Sequence, residues 1–220
     1  MDAINTASST KYRVTNDSAP VSAMPTDTIT IGTQTWLKYN SDVGTMITGV
    51  TAQSNNSVLE KYCYGDIPAN CTIYGGLYQW AETVQYLNGA TNTTSPSPAF
   101  STNVQGICPT GFHIPTDTEY KTLEIQLGMT QGQADTTGWR GTNQGTKLKL
   151  GGTSGFNMPL AGNRTTDGSF ISLSSFATLW SSSESSPTSA WRRYLYSGNA
   201  TVNRGTGGKG LGFSVRCLGN

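Results

Sequence analysis

The chain has 220 residues, 12% of them charged, and its 14 Lys and Arg against 13 Asp and Glu leave a net charge of +1. So even a balance argues against the broad basic face that DNA or RNA binding needs, and no apolar run approaches the ~20 residues of a membrane span. The length predicts one domain with at most a short arm.

Twenty-six Gly, with many Ser, Thr and Asn, predict short strands and much turn, as in exposed, extracellular β-rich or α+β domains. The opening Met1-Asp2-Ala3-Ile4-Asn5 has neither the basic nor the apolar region of a secretory signal. Export is therefore expected through a signal already removed or by another route. Four cysteines permit two disulfides. Cys63 and Cys71 could close a small loop, and Cys108 and Cys217 could tie the middle of the chain to its C-terminal strand. A bridge closing the long loop would stabilise by roughly 4–5 kcal/mol in the chain-entropy description. Four free thiols in a reducing compartment are the alternative. No Cys-x-x-Cys pair occurs and His113 is the single histidine, so a zinc site is not expected.

Residues 1–27, rich in Ser and Thr and without a period, read as an arm or linker; residues 28–220 read as the domain. Thr28–Ile31 and Gln34–Leu37, around Gly32-Thr33, predict a hairpin. Residues 41–73 read as irregular. A helix is expected from Gly75-Gly76 to about Leu87, with Leu77, Trp80, Ala81, Val84 and Leu87 on one apolar stripe and Asn88-Gly89 ending it. A second helix is signalled by Thr116 as N-cap with Glu119 three residues on, the reciprocal capping box. Its buried stripe is Tyr120, Leu123 and Leu127, and Gly128 stops it. Residues 129–155 read as loop, with Trp139 a local anchor.

From Phe156 the pattern is strands and turns: Asn157–Ala161, the Asp167-Gly168 turn into Ser169–Leu173, then Ala177–Ser181. Along Ala190–Tyr196, Trp191, Arg193 and Leu195 alternate with Arg192, Tyr194 and Tyr196. Ser197-Gly198-Asn199 then turns the chain into Ala200–Asn203. Near the end Phe213, Val215 and Cys217 alternate with Ser214, Arg216 and Leu218 at the period of a sheet. The order predicts an α+β fold with two helices and a mostly antiparallel, loop-rich sheet, its last strand pairing with its first.

Between the ends of the last forty residues, positions 185–211 are built almost wholly from Ser, Thr, Gly, Asn, Arg and Tyr. Aromatic and Arg side chains supply contact area while Ser, Gly and Asn adapt their hydrogen bonds, the composition of a binding surface. Arg192, Arg193 and Arg204 on a Tyr-bearing strand could be a plain solvated face. The scarcity of Lys and Glu beside them favours a binding hot spot. The candidate ligand-contacting residues are Ser185, Ser186, Thr188, Trp191, Arg192, Tyr194, Tyr196, Arg204 and Thr206. Trp36, Trp80 and Trp180 read as core, Trp139 and Trp191 as surface.

Catalysis is not expected. His113, between Phe112 and Ile114, reads as a core residue leading into the second helix rather than a general base. A lone histidine and scattered carboxylates draw no Ser-His-Asp set. Glu184 reads as a hydrogen-bond partner of turn backbone rather than a calcium ligand. No cofactor or metal is implied.

Several motifs together carry a resemblance. Tyr74-Gly75-Gly76-Leu77-Tyr78-Gln79-Trp80-Ala81, Ile107-Cys108-Pro109-Thr110-Gly111-Phe112-His113-Ile114-Pro115-Thr116-Asp117, Leu160-Ala161-Gly162-Asn163-Arg164, Leu179-Trp180-Ser181-Ser182-Ser183-Glu184 and Gly212-Phe213-Ser214-Val215-Arg216-Cys217 follow the order found in the Fibrobacter succinogenes major paralogous domain, which residues 28–218 closely resemble. Phe112 stands where that family usually has Trp, and Lys38-Tyr39 departs from its usual run. The resemblance implies a C-type-lectin-like fold, export or surface display on a cell or virion, and the pairs Cys63–Cys71 and Cys108–Cys217. Residues 180–216 are also similar to the variable region of proteins diversified by retroelements, whose adenine-directed changes turn Asn codons into Ser, Thr, Gly, Tyr, Arg and Asp codons. That similarity implies a non-enzymatic binding protein whose partner is a protein or glycan on a target surface, and it leaves room for an oligomer.

Overall fold

The computed structural model describes residues 27–101 and 103–220; apart from Asp27, the expected arm lies outside them. In chain order the strands and helices are β1 (Thr28–Ile31), β2 (Gln34–Leu37), β3 (Thr45–Met46), β4 (Glu60–Lys61), α1 (Pro68–Tyr74), α2 (Trp80–Thr83), β5 (Phe112–His113), α3 (Asp117–Gln126), α4 (Gln131–Asp135), β6 (Gly138–Arg140), α5 (Gln144–Leu148), β7 (Ala161–Arg164), β8 (Phe170–Leu173), β9 (Phe176–Ser186), β10 (Ser189–Tyr196), β11 (Val202–Gly208) and β12 (Leu218–Gly219). The fold is α+β. A four-stranded sheet runs β1-β2-β12-β5, a six-stranded sheet β6-β11-β10-β9-β7-β8, and β3 pairs with β4. Pairing is antiparallel except between β3 and β4 and between β7 and β9.

The first hairpin forms as expected, with Thr28 opposite Leu37 and Ile31 opposite Gln34. The α3 capping box is complete. Thr116 accepts from the Glu119 backbone N–H at 3.2 Å, and Glu119 Oε2 accepts from the Thr116 N–H at 2.7 Å. Gly128 ends the helix at φ +100°, a conformation that other residues rarely reach. Tyr120, Leu123 and Leu127 are buried as expected, each contributing roughly 1.5–3 kcal/mol. They pack with Trp36, Phe156, Leu179, Leu195 and Val202 in one core cluster. A second cluster gathers Trp80, Val84, Phe112, Trp180, Phe213, Val215 and Cys217.

Several expectations fail: residues 41–73 carry β3, β4 and α1 rather than wholly irregular chain, and the strand expected over Asn157–Ala161 begins only at Ala161. The helix foreseen from Gly75 to Leu87 shrinks to the four residues of α2. Leu77 and Tyr78 instead bridge to Tyr62 and Phe213 as extended chain, and Leu87 is 45% exposed. Leu77, Tyr78, Trp80 and Ala81 are all buried, and a segment covered on every side shows no face from which its period can be read. Residues 129–155 hold α4, β6 and α5 rather than loop, so among the described residues there are five short α-helices, not two. The capping box of α4, Thr130 with Gln133, spans only one turn. Lastly, β12 pairs with β2 and β5, not β1.

The segment before β12 is a seam between the two large sheets. Ser214 exchanges backbone hydrogen bonds with Thr178 and Trp180, Val215 accepts from Ser41, and Cys217 accepts from Leu37. Both sets of its alternating residues are buried, Ser214 and Arg216 as fully as Val215 and Cys217. The Arg216 guanidinium donates to Asn40 Oδ1 at 2.9 Å, Leu37 O at 3.1 Å and Phe156 O at 2.6 Å. Burial pushes its pKa down to about 9, so it stays charged at neutral pH. Both disulfides are present, Cys63–Cys71 and Cys108–Cys217, and the second anchors the seam.

His113 lies in the core, 2% exposed. Its Nε2 meets Glu119 Oε1 at 2.9 Å and its Nδ1 meets Asn220 Oδ1 at 2.7 Å. Burial alone would lower its pKa, but the hydrogen bonds to Glu119 and Asn220 outweigh that and leave it raised above 6.5. Burial likewise opposes the Glu119 carboxylate, and the contacts with His113 and Thr116 hold it below 4.5. A raised histidine stabilises the fold below its unfolded pKa and stops doing so as pH rises through the folded one. A lowered carboxylate stabilises above its unfolded pKa and stops as pH falls through the folded one. The pair therefore contributes most between roughly pH 4.5 and 6.5. The melting-temperature gap between the native chain and His113→Gln is expected to narrow as pH rises from weakly acidic to alkaline; a gap that widens would contradict the pairing. In denaturant unfolding, breaking Cys108–Cys217 by paired Ala substitutions is expected to cost roughly 4–5 kcal/mol, about 2 kcal/mol more than breaking Cys63–Cys71, because the closed loop is longer.

Candidate functional site

Alternation along β10 sorts its side chains onto the two faces of the six-stranded sheet. Arg193 and Leu195 are buried on the inner face, against α3, whereas Arg192 and Tyr194 are half-buried on the outer face and Tyr196 is exposed there. The sequence pattern had separated the same two sets.

An ion-pair network holds the inner face. Arg193 reaches Glu124 Oε1 and Asp117 Oδ1, each at 2.7 Å. Arg204 on β11 takes Asp117 through two nitrogens, Nε to Oδ1 at 2.9 Å and Nη2 to Oδ2 at 2.7 Å. Arg140 on β6 closes on Glu124 from the other side. Burial would raise the Asp117 pKa, but Arg204 and Arg193 outweigh it and hold the carboxyl below its ordinary range. Arg204, named from the sequence as a ligand contact, is thus a buried structural cation on the wrong face for that role. Trp191 stands on the same side, with the Arg204 guanidinium 4.0 Å from its ring centre.

The outer face carries a cross-strand row. Trp139 on β6 is opposite Asn203, Asn203 is opposite Tyr194, Tyr194 is opposite Thr178, and Asn163 is opposite Ile171. Gly162 pairs with Ala177, which sets Asn163 beside Thr178 and makes the row continuous over the sheet's six strands. Aromatic rings add a ladder, with centroid distances of 5.7 Å for Trp139–Tyr194, 4.7 Å for Tyr194–Phe176 and 4.6 Å for Phe176–Tyr196. Trp139 and Tyr196, at its ends, are 42% and 38% exposed.

Part of this row floors an open concavity of about 400 Å³ lined by Asn163, Thr178, Arg192, Tyr194, Asn203 and Phe213 among others. The Arg192 guanidinium lies 4.9 Å from the Tyr194 ring centre and 5.8 Å from that of Phe213, and its Nε donates to Thr206 O at 3.1 Å. Gly207 makes that seat possible, since a Cβ there would come within 2.8 Å of Phe213 and 3.0 Å of Arg192. Burial draws the Arg192 guanidinium below its usual pKa and pushes the Tyr194 hydroxyl up.

Of the other candidates, Thr206 reaches the concavity through its backbone, its side chain standing opposite Trp191 on the other face, while Ser185 and Ser186 end β9 and Thr188 lies in the turn to β10. That turn is ~23 Å along the strand from Tyr196 at 3.3 Å per residue. It is held by Lys209, whose Nζ meets Glu184 Oε2 at 2.8 Å and Pro187 O at 3.0 Å and lies 4.1 Å from the Trp80 ring centre. Glu184 is accordingly the counter-ion of a buried lysine, not a partner of turn backbone. Asn163, Thr178, Ile171 and Phe176 were missed because they come from β7, β8 and the start of β9, far from residues 185–211 in sequence. The Leu160–Arg164 motif was the one local signal near them.

The sequence of residues 29–218 matches the Fibrobacter succinogenes major domain. Neither the curated proteins nor the solved structures compared with the chain include a match. With nearly the whole described fold inside that match, the chain belongs to the Fibrobacter succinogenes major domain family.

Proposed function

We propose that this protein is a non-enzymatic binding module, displayed on a virion or cell surface, which recognises a host or neighbouring macromolecule through the outer face of its six-stranded sheet. In this reading the scaffold is C-type-lectin-like and residues 181–211 supply its diversified part. The observation that carries the proposal is the split of β10. Arg193 and Leu195 are locked inward, while Arg192, Tyr194 and Tyr196 stand on a concave, aromatic-rich face outside the core. Two disulfides fit an oxidising compartment outside the cell.

A fixed-ligand adhesive module is the second reading. It is favoured by Asn163, Thr178 and Phe213, which line the concavity from outside residues 181–211.

Sequencing the locus across a population separates the two. Diversification predicts a nearby template copy, and differences confined to adenine positions in the codons for Ser185, Ser186, Thr188, Arg192, Tyr194 and Tyr196. Arg193, Leu195, Val202 and Arg204, which the core and Asp117 require, should be spared. A locus with no template, or one where Arg193 and Arg204 vary as freely as Tyr194, would remove the diversified reading.

A further inference from the structure

The lining of the concavity holds two guanidinium groups, Arg164 and Arg192, and no carboxylate. Arg164 is satisfied by the protein: its Nε donates to Gly49 O at 2.8 Å, its Nη1 to Gly210 O at 3.1 Å, and it covers the Tyr62 ring. Arg192 is not. Beyond its Nε bond to Thr206 and its aromatic contacts, it meets no carboxylate among the described residues. A partly desolvated cation without a counter-ion is costly, and a guanidinium fork is the group best shaped to grip a carboxylate through two parallel bonds.

The floor shows a second deficit. Thr178 is wholly buried, yet its Oγ1 has no hydrogen-bond partner, and Asn163 Oδ1 beside it has none either. Buried polar atoms are paired in roughly 90% of cases or more, but both of these are sealed from solvent, so they underlie the hollow rather than face it. Asn203 adds an amide, and the rings of Tyr194 and Phe213 add apolar faces. The volume falls in the range of small-ligand pockets. The matching ligand has one anionic group, several hydroxyls and an apolar ring face.

Building on the reading of the outer face as a binding surface, we propose that this concavity binds a carboxylate-bearing sugar unit, a uronate or a sialate. Its carboxylate lies on Arg192, its ring against Tyr194, and its hydroxyls toward the Asn163 and Asn203 side chains.

Calorimetric titration of the full chain with sialyllactose and with tetragalacturonate, against lactose as the neutral control, tests this. At least one acidic probe should bind about tenfold tighter than lactose or better, and the two arms tell sialate from uronate. Arg192→Gln should erase the preference with the unfolding curve unchanged. Gly207→Ala, which keeps the charge but crowds Arg192, should weaken acidic binding in the same direction. The proposal is overturned if neither acidic probe binds, if lactose binds equally well, or if a folded Arg192→Gln chain keeps the preference. Should Arg192→Gln fail to fold, an unchanged preference in Gly207→Ala overturns it instead. A neutral glycan or a protein bound through Tyr194 and Tyr196 would remove the acidic sugar while leaving the broader reading standing.

Discussion

Two carboxylates on one helix hold the larger sheet in place. Asp117 and Glu124 of α3 are shared among Arg193, Arg204 and Arg140, which come from three adjacent strands. Ionic groups this deep recover their desolvation cost only when every partner is in position, so the network tolerates one register of β6, β11 and β10. A slip of one residue would send Arg193 outward and bring Arg192 into the core, exchanging the faces of the whole strand. The clamp therefore decides which residues are offered to solvent.

The outer face owes its shape to what does and does not cover it. The seam before β12 lays Phe213 against Trp180, with centroids 4.3 Å apart, and buries that end of the sheet. One row further along the covering thins, and the hollow opens above the buried Thr178. Gly207 then lets Arg192 lie down between Tyr194 and Phe213. The contrast between faces is chemical as well as steric: inside, Arg140, Arg193 and Arg204 each have a carboxylate; outside, Arg192 has aromatic rings and a carbonyl.

The turn between β9 and β10 is a separate unit. Lys209, wholly buried, ties Glu184 and the Pro187 carbonyl to the Trp80 ring, so Ser185, Ser186 and Thr188 are presented from a fixed base. Hairpin tip and concave face are thus two separate surfaces of one sheet, divided by the length of β10.

What could be read from the residues alone was local. The Gln34–Leu37 hairpin, the Thr116–Glu119 capping box and the alternation from Trp191 to Tyr196 each depend on neighbours a few positions away, and each appears in the fold. The motifs likewise identified the family and its cysteine pairs. Where burial is complete on all sides, as from Leu77 to Ala81, the period disappears and the helix was overextended. Tertiary structure alone decided that Arg204 would turn inward to Asp117, because a strand's two faces look alike until a helix 87 residues away covers one of them. It alone set Asn163 and Thr178 beside Tyr194, since strand pairing across the sheet is a long-range choice that no local pattern encodes.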